Sequence, residues 1–240
     1  MSETKSYRQQ KFVRPVGATE ILLIRHGESR AATEGEPFPL VNGQGDPELA
    51  PTGREQAEKL SQRLADHVID AVYVTNLRRT HETAAPLCAR KGMTPKVVAD
   101  LREVHLGDWE GGLFRIKAHQ NHPKIIEMRE QQEWGKIPGG ESNAELDARV
   151  ARGLNSIIEK HPDQVVMVVV HGGVIGSVLS QATSSEPFAF VGADNGSISH
   201  LIAHQGRLSV RRFNDTSHLS AAISAVDSLP KDVSGGASGL

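Results

Sequence analysis

Hydrophobic residues along this chain gather in short unbroken runs and in helical stripes, and two of the runs stop abruptly at a histidine and a glycine. Residues 21–24 are all apolar and are followed at once by Arg25-His26-Gly27-Glu28. An unbroken apolar run of this length reads as a parallel strand buried on both faces. Residues 165–170 repeat the form, with valine everywhere except Met167, and end at His171-Gly172-Gly173. Weaker runs at 71–74 and 96–98 predict two more strands. Residues 198–203 and 208–212 predict a pair around a turn at Gly206.

Helical stripes separate these runs. Ala57, Leu60, Leu64 and Val68 mark one face of a helix starting at Thr52, where Thr52 and Glu55 make a capping-box pattern. A second helix is expected over 77–91, closed by Gly92. Ser142 and Glu145 repeat the capping-box pattern and open a helix to about residue 160. Val174, Ile175, Val178 and Leu179 define the helix after His171. Residues 111–134 look helical but polar, are broken by Pro123, and have no strong strand nearby. They read as a small cap inserted over about 111–137, ended by Pro138-Gly139-Gly140. Residues 30–51, rich in Gly, Pro, Glu and Asn, read as a long loop, and loops of that length usually carry function.

Strands alternating with helices predict an α/β fold: a three-layer sandwich with a mostly parallel central sheet flanked by helices, plus the small helical cap. The domain is expected over 20–216. Residues 1–19 read as a flexible polar arm. Residues 217–240 read as a largely flexible tail, with a short helix over 219–229 and disorder from 234. In such sheets ligands bind beyond the carboxyl ends of the strands. His26 and His171 both fall there, so the two are expected to meet.

Charge and composition narrow the partners. Lys and Arg total 27 against 29 for Asp and Glu, a formal net charge of −2. That balance argues against a general nucleic-acid or membrane surface, so any anion preference must be local. No apolar run approaches the length of a membrane span, and the first residues lack a signal-peptide core. Cys88 is the single cysteine; it excludes an intrachain disulfide framework and reads as a small core residue. These features predict a cytoplasmic protein. An exposed edge strand would offer a way to pair two subunits, so a homodimer is within the expectation.

The residues at the strand ends suit chemistry on phosphate. An imidazole attacking phosphorus must be neutral at one nitrogen and oriented by the other. Fixed donors must gather the phosphate charge, and an acid must protonate the departing oxygen. His26 and Arg25 follow the first strand, and Gly27 lets backbone approach closely. His171 supplies a second imidazole. Arg78 and Arg79 open the helix after the second strand, and pattern alone does not choose between them. Glu103 lies in Leu101-Arg102-Glu103-Val104-His105-Leu106-Gly107-Asp108-Trp109-Glu110-Gly111, a segment offering carboxyl groups for the acid.

These segments together resemble the histidine phosphatase superfamily, the branch shared by cofactor-dependent phosphoglycerate mutases and many small-molecule phosphatases. The similarity spans roughly 20–213, with the segments in family order. Leu22-Leu23-Ile24-Arg25-His26-Gly27-Glu28-Ser29 resembles the nucleophile motif. Leu49-Ala50-Pro51-Thr52-Gly53-Arg54-Glu55-Gln56-Ala57 and Thr75-Asn76-Leu77-Arg78-Arg79-Thr80-His81-Glu82-Thr83-Ala84 resemble the next two. The resemblance implies His26 as phosphate acceptor, Arg25 and Arg79 as phosphate clamps, Glu103 as proton donor and His171 as a second phosphate-binding histidine. It implies a small-molecule phosphate ester as substrate, and neither metal nor other cofactor. Relatives often carry asparagine six residues after the nucleophile; here that residue is Ala32, so that donor is missing or supplied elsewhere.

Mutases of this family typically carry an arginine directly after the catalytic glutamate; here Val104 stands in that place, so the resemblance implies hydrolysis over mutase chemistry. A non-catalytic phospho-ligand module is the weaker alternative, since Arg25, His26 and His171 are all present. A metal enzyme is disfavoured: despite 11 histidines there is no His-Glu-x-x-His and no Cys-x-x-Cys. Trp109, Phe114 and Trp134 are candidates for the pocket wall, equally suited to the core.

Overall fold

The computed structural model describes residues 6–219. The chain runs β1 (Thr19–Arg25), a hairpin of β2 (Leu40–Val41) and β3 (Gln44–Gly45), α1 (Pro51–Arg63), β4 (Ala71–Val74), α2 (Arg78–Lys91), β5 (Lys96–Val97), α3 (Leu113–His119), α4 (Pro123–Gln131), α5 (Asn143–Ile158), β6 (Val165–Val170), α6 (Gly172–Thr183), β7 (Ile198–His204) and β8 (Arg207–Asp215). The main sheet has the order β5-β4-β6-β1-β7-β8. β5, β4, β6 and β1 are mutually parallel, while β7 and β8 close one side antiparallel.

Side-chain alternation along the strands sorts the core into two halves. Leu22, Ile24, Val72, Val74, Met167 and Val169 pack with Leu60 and Leu64 of the α1 region and with Ala84, Leu87 and Cys88 of α2. Ile21, Leu23, Tyr73, Val166, Val168 and Val170 pack with α5, α6 and the 125–137 region. Burying each leucine or isoleucine fully contributes roughly 1.5–3 kcal/mol, so both faces of every central strand are held. The result is the expected three-layer α/β sandwich with a mostly parallel sheet.

Several local features differ from the sequence reading. α1 begins at Pro51, with Ala50 as its N-cap and no side-chain cap bond. The Thr52–Glu55 pattern is therefore unused: a proline needs no N–H partner at the first helical position and sets the start itself. Val68 lies beyond the end of α1 and is exposed. The break expected at Pro123 is present, with the proline starting α4, the second of two helices. The 30–51 segment is not a plain loop. Asn42 and Gly43, both at positive φ, turn β2 back onto β3, as an Asn-Gly pair between short strands favours. Ser142 and Glu145 do form a capping box, and Gly92 does close α2 in the left-handed conformation. The helix expected over 219–229 and the tail from 234 lie outside the described residues, apart from Leu219, as do the first five residues of the arm.

Candidate active site

The pairing of β1 with β6 builds the centre of the site. Their register sets Arg25 opposite Val170, and the His26 N–H donates to the Val170 carbonyl at 3.0 Å. The residues just past that pair, His26 and His171, therefore stand side by side. Their ring centroids are 5.1 Å apart in an edge-to-face arrangement. Both are buried, His171 completely.

His26 is held in one orientation. Its Nδ1 lies 2.7 Å from the Gly27 carbonyl oxygen, and its Nε2 lies 3.2 Å from Arg79 Nε, a donor. A carbonyl can only accept and a guanidinium can only donate, so the proton sits on Nδ1 and the lone pair on Nε2. Burial, followed by the Arg79 and Arg25 charges, holds this imidazole well below its ordinary pKa. It is neutral, with the Nε2 lone pair accepting from Arg79. The same chain of causes, burial first and Arg79 next, lowers His171 well below its ordinary value. His171 Nε2 meets the Thr75 hydroxyl at 3.0 Å, while its Nδ1 is buried without a partner.

Glycines make this close packing possible. A Cβ on Gly27 would come within 2.5 Å of the Gly53 carbonyl oxygen, and one on Gly53 would overlap the Glu28 backbone. The turn after His26 thus sits directly on the first turn of α1. Gly173 has a similar role: a Cβ there would come within 2.8 Å of Glu103 Oε1 and would overlap Val104.

The cations are separated by role. Arg79, on the first turn of α2, is buried and donates to the Gly45 carbonyl at 2.9 Å; burial pushes its pKa down to about 10. Arg78 instead points outward to Glu48. Arg25 donates to the Ala193 carbonyl and leaves its Nε unpartnered. Burial lowers Arg25 as well. Glu103 is half-buried, and its Oε1 accepts from the Val104 and Gly173 backbone N–H groups at 3.0 and 3.2 Å.

Arg25, His26, Arg79 and Glu103 all line one cavity of about 380 Å³. His171 is fully buried beside the His26 ring. The structure thus gathers Arg25, His26, Arg79, Glu103 and His171, and leaves Arg78 outside. Phe114 and Trp134 line the same cavity, whereas Trp109 is buried against His122.

Among the lining residues that escape the sequence reading are the polar side chains of Gln44, Arg115 and Asn195. Gln44 follows the Asn42-Gly43 turn, a signal hidden inside a segment that reads as loop. Arg115, on α3, donates to Ser29 Oγ at 2.7 Å and to the Arg30 carbonyl at 2.9 Å; it lies within a stretch that reads simply as polar helix. Asn195 donates to the His26 carbonyl at 2.9 Å, from a stretch with no periodic pattern to mark it. Among the described residues, no group of three or more His, Cys, Asp or Glu side chains is arranged to hold a metal ion.

A neutral, oriented imidazole ringed by arginines beyond the carboxyl ends of parallel strands is an arrangement suited to phosphate chemistry. Comparison with known proteins points to the same chemistry. The chain belongs to the histidine phosphatase superfamily, branch 1, which it matches over residues 21–216. It is 35% identical over 174 residues to phosphoglycerate mutase-like protein 4 of Arabidopsis thaliana, covering 71% of this chain and 74% of that one. It is 31% identical over 210 residues to a metal-independent phosphoserine phosphatase of the same plant, covering 85% and 84%. A mycobacterial glucosyl-3-phosphoglycerate phosphatase, solved with VO3, superposes with a TM-score of 0.67 at 27% identity, over 81% of this chain and 98% of that one.

Proposed function

We propose that this protein hydrolyses a small-molecule phosphate monoester through a phosphohistidine on His26. The observation that carries the reading is the His26 ring itself: buried, neutral, tied at Nδ1 to Gly27, with Nε2 facing Arg79. Phosphatases among the relatives, one of them acting without metal by its name, support hydrolysis.

As phosphate docks, Arg79 transfers its donation from Nε2 to a phosphate oxygen and frees the lone pair. Nε2 attacks phosphorus, and the P–N bond forms as the P–O bond to the alcohol breaks. Arg25, Arg79 and His171 spread the charge on the equatorial oxygens. Glu103 delivers its proton to the leaving oxygen, then takes one from water. That water attacks phosphorus, releasing inorganic phosphate and restoring His26. The domain doing this spans 20–216, and residues 111–137 serve as the cap that selects the alcohol. The single buried thiol, Cys88, fits a cytoplasmic setting. Among the described residues no helix is long and apolar enough to cross a membrane.

Rapid quenching with radiolabelled substrate tests the intermediate. Wild type is expected to show an acid-labile phosphoenzyme, and His26→Ala none; a phosphoenzyme that persists in His26→Ala ends this reading. Glu103→Gln is expected to lose about 100-fold or more on alkyl phosphates and far less on 2,4-dinitrophenyl phosphate. Incubation with 3-phosphoglycerate and 2,3-bisphosphoglycerate separates hydrolysis from mutase chemistry, since rapid formation of 2-phosphoglycerate would assign the latter.

A further inference from the structure

We propose that Arg149, which stands behind the pocket and not in it, is a positioning residue that sets the proton donor Glu103; this rests on the reading of Glu103 as the acid. Arg149 lies on α5 and is only 4% exposed. Its Nη1 donates to the carbonyls of Asp100 at 2.8 Å and Arg102 at 2.7 Å, and its Nη2 to that of Glu103 at 2.9 Å. Nε and Nη2 then grip the two carboxylate oxygens of Glu141 at 2.6 and 2.7 Å. A guanidinium has five N–H donors, and these contacts use all of them.

What those donors hold is telling. The three carbonyls belong to the short segment that ends at Glu103. Glu141 extends the grip past it: its carboxylate accepts from the His105 N–H at 3.2 Å, and its own N–H donates to the His105 carbonyl at 2.9 Å. The backbone is therefore pinned on both sides of Glu103. α5 also abuts the segment directly, since a Cβ on Gly153 would come within 3.0 Å of the Asp100 and Leu101 side chains. Glu103 spends one carboxylate oxygen on the Val104 N–H, which ties its carboxyl group to this backbone, and on the Gly173 N–H of α6. A general acid must meet the leaving oxygen at hydrogen-bond distance, and misplacement by about 1 Å can cost about 100-fold. Lysine keeps a charge for Glu141 but has three donors on a point charge, too few for the same set of contacts.

The test is the dependence of rate on leaving group. Arg149→Lys is expected to lower kcat/KM on alkyl and phenyl phosphates by on the order of 10- to 100-fold. On 2,4-dinitrophenyl phosphate, whose leaving group needs little proton help, it should lose less than about threefold. A purely structural arginine would depress all substrates alike, and a uniform loss overturns the proposal. Glu103→Gln in the same panel keeps the two readings apart. If Glu103→Gln shows no leaving-group dependence, the assignment of the acid itself fails; if Glu103→Gln is steep and Arg149→Lys is uniform, only the positioning role fails. Should Arg149→Lys not fold, Glu141→Gln carries the test, with a steep dependence supporting the role and a uniform one refuting it.

Discussion

At the scale of single residues the site depends on which nitrogen of each imidazole carries the proton. For His26 the answer comes from Gly27 and Arg79, a carbonyl and a guanidinium. For His171 it rests on Thr75. The Thr75 hydroxyl oxygen accepts from the Leu77 N–H at 3.3 Å and lies 3.0 Å from His171 Nε2 and 3.3 Å from the Thr80 hydroxyl. Donation from Thr75 to Nε2 would put the ring proton on Nδ1, the nitrogen without a protein partner. Thr75→Val keeps the shape and removes that hydroxyl. It should raise the inhibition constant of vanadate or phosphate roughly tenfold, the worth of about one hydrogen bond to a charged group. An unchanged constant would show that His171 is oriented by something other than Thr75. Arg25, His26 and His171 are legible in the sequence because each stands at the end of an apolar run. Arg79 is not separable from Arg78 by pattern, since two successive residues on one helical turn differ only in which way they face; the family resemblance chooses between them.

At the scale of elements, strands are easier to read than helix ends. An unbroken run such as 165–170 has few competing interpretations, and β6 has those bounds. Caps are harder, because the same letters can be used or ignored. Ser142–Glu145 and Thr52–Glu55 carry the same pattern, yet only the first forms the box, while Pro51 already starts α1. The hairpin β2–β3 escapes a reading by pattern because its strands, of two residues each, are too short for any periodicity to register. The difference between the two caps is measurable. Ser142→Ala should destabilise the protein by about 1 kcal/mol and lower its melting temperature by about 2–4 °C. Thr52→Ala should stay within about 0.5 kcal/mol. Equal shifts in thermal unfolding would mean that the Thr52 side chain caps α1 in solution after all.

At the scale of the whole molecule, the sandwich places two neutral imidazoles in its interior beside arginines, and this makes folding sensitive to acid. Burial, then the Arg79 charge, depresses both His26 and His171 well below the ordinary value. Unfolded histidines take up protons near pH 6.5. Below that pH the unfolded chain binds more protons than the folded one, so stability falls as pH drops. The contribution is complete above about pH 6.5 and is lost progressively toward the depressed folded values, with a slope of up to about 1.4 kcal/mol per pH unit for each histidine. His200 and His218, also lowered by burial, pull in the same direction from outside the pocket. Urea unfolding at pH 7.5, 6.5 and 5.5 should therefore show a steep loss for wild type. The double variant His26→Asn, His171→Asn should lose distinctly less between pH 6.5 and 5.5, because its site has no imidazole left to protonate on unfolding. An equal slope in the variant would assign the acid sensitivity to His200 and His218, and the pocket histidines would then be far easier to protonate in the folded protein than their burial implies.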